Sequence, residues 1–171
     1  ADITVSYTLT PDNCLKLDYH MVSDADTIAN FTNHVYFNLG GYKSGSALDQ
    51  KVWIDADYFT ATDANSIPTG ELVAVKGTPM DFTEMKPIGR DIQEDYQALK
   101  YGNGYDHNWA LNHPAGELSL SAKAEDEKTG RTMEVYTDLP GVQFYTANSL
   151  KTEHGKNHAV YTPRCGYCFE T

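Results

Sequence analysis

From Ile3 the chain alternates, with Ile3, Val5, Tyr7 and Leu9 on one face and Thr4, Ser6 and Thr8 on the other. A period of two predicts a half-buried strand. After the turn-forming Pro11-Asp12-Asn13, the alternation resumes with Leu15, Leu17, Tyr19 and Met21 against Lys16, Asp18 and His20. The two runs therefore read as a hairpin. Similar runs cover 50–55, 71–76, 106–111, 118–124, 132–138, 142–147 and 164–170, divided by Gly, Pro, Asn or Asp clusters. Short strands with turns between them predict an all-β fold, a large antiparallel β-sandwich. The best helical stretch is 88–99, which lacks a broad apolar face. With no repeat, low-complexity tract or linker, 1–171 is expected to be a single domain or part of one.

Composition narrows the function classes. The chain has 171 residues, 40% of them hydrophobic, and a chain of that size buries roughly 70% of its unfolded surface without needing a staple. Its 24 acidic against 13 basic residues give a net charge of −11. That field repels phosphate backbones and anionic headgroups, so neither nucleic acid nor a membrane surface is an expected partner. No apolar run has the length of a membrane span, and the N-terminus has no signal-peptide pattern. Cys14, Cys165 and Cys168 are an odd count at low density, which predicts thiols in a reducing, cytoplasmic compartment. The sequon Asn30-Phe31-Thr32 has no other export signal beside it.

Phosphate-cradle, dinucleotide, serine-hydrolase and zincin motifs are all missing. His154, His158, Cys165 and Cys168 supply four zinc-type ligands in one tract. If 164–170 is a strand, however, Cys165 and Cys168 point to opposite faces, so buried or half-buried thiols are expected there rather than a metal site. In 30–39, Phe31, Val35, Phe37 and Leu39 alternate with Thr32, His34, Tyr36 and Asn38, putting an imidazole, a phenol and an amide on one wet face. On base rates alone such a His is more often an ordinary hydrogen-bonded surface residue. Asp106 and Asn108 share a face behind the flexible Gly102 and Gly104, while Gly166, Cys168 and Glu170 share a face of the last strand, opposed by Cys165, Tyr167 and Phe169. A Glu at such a strand end is either paired structurally or kept for acid–base work.

The stretch TNHVYFNLGG (32–41) resembles a hallmark of the aldose 1-epimerases, the galactose mutarotase family. Further stretches match in the same order: WIDADYFTATDANSIPTGEL (53–72), TPMDF (78–82), GYDHNWAL (104–111), PGVQFYTAN (140–148) and GYCFET (166–171). The resemblance implies a large β-sandwich with a sugar in a cleft on one sheet. It implies that His34 is the general acid that protonates the ring oxygen and Glu170 the general base that takes the anomeric proton. It implies that Asp106 and Gln143 hydrogen-bond the sugar hydroxyls. The reaction is then interconversion of the α and β anomers of an aldose such as galactose or glucose, with a free sugar as the partner and neither cofactor nor metal.

That chemistry suits the residue types, since mutarotation needs one proton removed from O1 and one delivered to O5. A carboxylate supplies the first function, and imidazole, which titrates near neutrality, the second. Tyr36, Tyr105, Trp109 and Tyr145 are candidates for stacking on the sugar. The family pattern also includes, ahead of these stretches, a segment with an Asn-Arg pair and a second active-site His that nothing here matches. After the Glu-Thr of 170–171 it continues with Gln and then Pro-Asp. The resemblance is therefore to an internal and C-terminal part of a mutarotase. Two rivals remain: a glycoside hydrolase using Asp106 and Glu170 as its carboxylate pair, and a noncatalytic carbohydrate-binding module. Preferred aldose and oligomeric state are not legible.

Overall fold

The computed structural model describes residues 1–171, which divide into two compact units, 1–32 and 33–171. In the first, β1 (Asp2–Leu9) pairs antiparallel with β2 (Leu15–Val22) across the turn at 10–14, in register from Asp2 opposite Val22 to Leu9 opposite Leu15. The expected hairpin is present, but its apolar face is not half-buried along β1. Ile3, Val5, Tyr7 and Leu9 are all exposed, because a two-stranded ribbon has no second layer of its own.

The second unit holds β3 (Lys51–Ile54), β4 (Tyr58–Thr62), β5 (Pro68–Ala74), β6 (Lys86–Pro87), α1 (Gln97–Gly102), β7 (Asp106–Ala110), β8 (Ser119–Asp126), β9 (Arg131–Thr137), β10 (Gly141–Tyr145), β11 (Glu153–His154), β12 (Val160–Tyr161) and β13 (Cys168–Glu170). Five strands form one sheet in the order β13-β10-β7-β4-β5, four form another in the order β6-β3-β8-β9, and β11 pairs with β12. Neighbouring strands are antiparallel throughout. One apolar core draws on both larger sheets: Val52 and Ile54 of β3 and Ala122 and Ala124 of β8 join Phe59, Trp109, Val142, Phe144 and Phe169 of the five-stranded sheet. Aromatic rings fill its centre, with Phe144 stacked 5.2 Å from Phe169 and edge-on to Phe82 at 5.5 Å.

The helix differs from expectation, since α1 begins at Gln97 and buries only Leu99. Ile88 and Ile92 are buried in turns instead. The Ile88 and Gly89 amides donate to the carbonyls of Gln50 and Leu48, so this backbone extends the β3–β6 pairing and cannot enter a helical ladder. The last strand is also shorter than 164–170, because Arg164 has φ 64° and the Cys165 amide bonds back to Thr162 in a turn. No helix is long and apolar enough to cross a membrane.

Candidate active site

Antiparallel register decides which side chains meet. Gln143 of β10 stands opposite Glu170 of β13 on one side and Asn108 of β7 on the other, while Tyr145 stands opposite Cys168 and Asp106. Since side chains alternate along a strand, all six occupy one face of the sheet. The residues between them, Phe144, Phe169, His107, Trp109 and Val142, are buried on the core face. The polar face is tied together by the Gln143 amide donating to Asp106 Oδ1 at 2.8 Å and the Asn108 amide donating to Thr60 Oγ1 at 2.9 Å.

Two local features deliver Asp106. Asn148 donates its amide to the carbonyls of Tyr105 (2.8 Å) and Gly102 (3.1 Å), which clamps the loop before β7. Gly104, at φ 132°, lies so close that a Cβ there would collide with the Asn148 amide. Glycine is required both for the backbone conformation and for the space.

The segment carrying His34 is not a strand. It is irregular apart from one bridge, in which Phe37 and Tyr167 exchange backbone hydrogen bonds of 2.7 and 3.0 Å. Asn38 secures it further by donating to the carbonyls of Cys165 (2.8 Å) and Gly45 (3.1 Å) and accepting from the amide of Gln50 at 2.7 Å. Gln50 in turn accepts from the Tyr167 hydroxyl at 3.0 Å. The bridge runs the segment beside β13 and brings His34 Nε2 within 3.5 Å of Glu170 Oε1 and Nδ1 within 3.4 Å of Cys168 Sγ. Tyr36 and Tyr145 flank the imidazole with ring centroids 5.1 and 5.8 Å away.

Of the four residues singled out for sugar chemistry, His34 meets Glu170, Gln143 meets Asp106, and Gln143 pairs with Glu170 across strands. Of the four candidate stacking rings, Tyr36 and Tyr145 flank this face, whereas Tyr105 and Trp109 are fully buried core residues. Trp109 packs on Phe82 and Phe144, and Tyr105 gives its hydroxyl to the Pro79 carbonyl. The tract of His154, His158, Cys165 and Cys168 does not form a ligand set. The donors that converge are His34, Cys168 and Glu170, one from each lying within 4.8 Å of the others. Placement of Cys168 against His34 was not anticipated. The cue was its parity with Glu170, but the partner is set by a contact 134 residues away.

Electrostatically this face holds on to protons. Burial, joined by the Asp106 carboxylate, raises Glu170 above its ordinary value, with His34 opposing the rise. Burial likewise raises Asp106 against the pull of the Gln143 amide and His34. Burial together with Glu170 and Asp106 pushes the Cys168 thiol up to about 12. A half-exposed imidazole beside a mostly buried, raised carboxyl can move a proton in either direction.

The comparisons agree with this architecture. The aldose 1-epimerase family model matches residues 1–171, and the chain belongs to that family. It is 40% identical over 170 residues to galactose mutarotase of Homo sapiens, covering 99% of this chain and 48% of that protein. It is 33% identical over 168 residues to aldose 1-epimerase of Escherichia coli, covering 98% of this chain and 48% of that one. The structure of galactose 1-epimerase from Lactobacillus acidophilus superposes with a TM-score of 0.84 at 30% identity, over 98% of this chain and 47% of that one. An aldose epimerase homologue from C. elegans shares the fold with a TM-score of 0.84 at 24% identity, over 98% of this chain and 49% of that one. The fold is thus the mutarotase-type β-sandwich expected. The chain spans about half the length of the curated relatives it matches.

Proposed function

We propose that this chain carries the acid–base pair of an enzyme that interconverts the α and β anomers of a free aldose. Glu170 takes the proton of the anomeric hydroxyl while His34 delivers one to the ring oxygen. The bond from C1 to O5 breaks and leaves an aldehyde. C1 turns about its bond to C2, and closure returns the O5 proton to His34 and the Glu170 proton to O1, on the other face of the ring. Protons balance over the cycle, so the site resets without a cofactor. Asp106 and Gln143 hold the hydroxyls, and Tyr36 and Tyr145 stand beside the pyranose.

The observation that carries this reading is the 3.5 Å approach of His34 to Glu170 on the face that also holds Asp106 and Gln143. The relatives' names, galactose mutarotase and aldose 1-epimerase, support it. The family match runs through both compact units, which supports reading 1–171 as sequence of one domain. Three unbridged cysteines support a cytoplasmic setting.

Polarimetry on freshly dissolved α-glucose and α-galactose tests the proposal, using this chain and a protein of the family's full length that contains it. Acceleration of the approach to equilibrium is the expected result. Release of reducing sugar from a glycoside would favour the hydrolase reading. Saturable sugar binding without exchange would favour a binding module.

A further inference from the structure

We propose that His34, Cys168 and Glu170 also form a binding site for a thiophilic divalent cation of the Zn²⁺ class, and that its occupation shuts the acid–base pair down. The second half of this rests on the proposed function; the first stands on geometry alone. Zinc holds sulfur at about 2.3 Å and nitrogen or oxygen at about 2.0–2.2 Å in a tetrahedron, which sets neighbouring ligand atoms roughly 3.4–3.6 Å apart. Cys168 Sγ lies 3.4 Å from one ring nitrogen of His34, and Glu170 Oε1 lies 3.5 Å from the other. One donor from each of the three residues lies within 4.8 Å of the other two. A single ion takes only one of these nitrogens, so the His34 ring, whose side chain is 50% exposed, must turn and the Glu170 carboxylate must swing toward Cys168 to complete the set.

The donor set selects the ion. One sulfur, one imidazole and one carboxylate favour Zn²⁺, Co²⁺ or Cd²⁺ over Mg²⁺ and Ca²⁺, which prefer all-oxygen shells. Binding releases the Cys168 proton to solvent, and the thiolate and the Glu170 carboxylate together neutralise the divalent charge. Asp106 adds negative potential from the same face. Three protein ligands leave a fourth position for water. With its lone pair on the metal, His34 cannot carry a proton to O5, and a coordinated Glu170 cannot accept one from O1.

The test is titration of the reduced, metal-free protein with Co²⁺ in the absence of sugar, following the thiolate-to-cobalt absorption in the near ultraviolet. The expected result is a band that saturates at one equivalent, is displaced by Zn²⁺, survives Cys14→Ser and Cys165→Ser, and vanishes in Cys168→Ser. His34→Asn and Glu170→Gln should each weaken Co²⁺ binding by about tenfold or more; these variants carry the test should Cys168→Ser fail to fold. A band that persists in a folded Cys168→Ser variant, or none at stoichiometric Co²⁺, overturns the site. Binding at Cys168 in a protein that exchanges no anomers upholds the site and sinks the proposed function. Exchange that continues unchanged when Zn²⁺ is bound overturns the claim of inhibition.

Discussion

The two faces of the five-stranded sheet are built from the same strands and the same period of two, yet they solve opposite problems. On the inner face Trp109, Phe144 and Phe169 are essentially inaccessible and pack ring against ring. On the outer face Asp106, Gln143 and Glu170 stay partly open and are held by hydrogen bonds and a charge contact rather than by packing. Two histidines show the difference most clearly. His107 is buried, its Nδ1 accepts the Asp106 backbone N–H, and burial takes it down to about 4 against the pull of the Ala98 backbone, so it is a neutral core ring. His34 is half exposed and touches a carboxylate. Placement therefore separates the two imidazoles: His107 follows the core-facing parity of β7, whereas His34 arrives on an irregular segment pinned beside β13.

The contrast can be broken from either side. The largest effect is expected from His34→Asn, which keeps a polar side chain but removes the proposed proton carrier. Exchange measured by NMR should fall by about 10²–10⁴-fold, with sugar affinity changed only slightly. On the opposite face, Phe144→Ala should cost about 3–5 kcal/mol in urea denaturation and leave the sugar affinity of the folded fraction near the parental value. If it instead abolished binding with stability intact, the two faces would not be separable.

Gln143→Ala should do less. It strips Asp106 of its amide donor and should weaken sugar binding by about tenfold, the scale of one hydrogen bond to a charged group, with kcat far less affected. The smallest effect sharpens the electrostatics. In the proposed reaction Glu170 acts as a base only when ionised, and burial and Asp106 raise its pKa. The rate should therefore fall as pH drops through a value above the usual carboxylate range. Asp106→Asn removes the like charge and should move that acid limb to lower pH; a limb that stays in place would mean Asp106 does not sense Glu170.

Much of this was legible in alternation. The parity of Asp106 with Asn108, and of Cys168 with Glu170, assigns their faces correctly, and the strands 106–111 and 142–147 lie within a residue or two of β7 and β10. The same parity puts Trp109 with His107 on the core side, so its burial could have been read from the sequence. Other features depend on contacts the sequence does not display. Strand β4 carries a register shift between Thr60 and Thr62 that spoils its period. The 88–99 stretch has its Ile88 and Gly89 amides taken by carbonyls of the turn just ahead of β3. The nearness of His34 to Cys168 and Glu170 depends on the long-range bridge from Phe37 to Tyr167, and no local pattern encodes a bridge.

The central claim is that the outer face is an acid–base site and not merely a sugar-shaped surface, and Glu170→Gln tests it most directly. The substitution keeps size and hydrogen-bonding capacity while removing the base. Measured by exchange NMR on galactose in an active full-length background, it should cut anomer exchange by about 10²–10⁴-fold, as His34→Asn should, while sugar affinity stays within a small factor. Near-parental exchange in that variant would contradict the account.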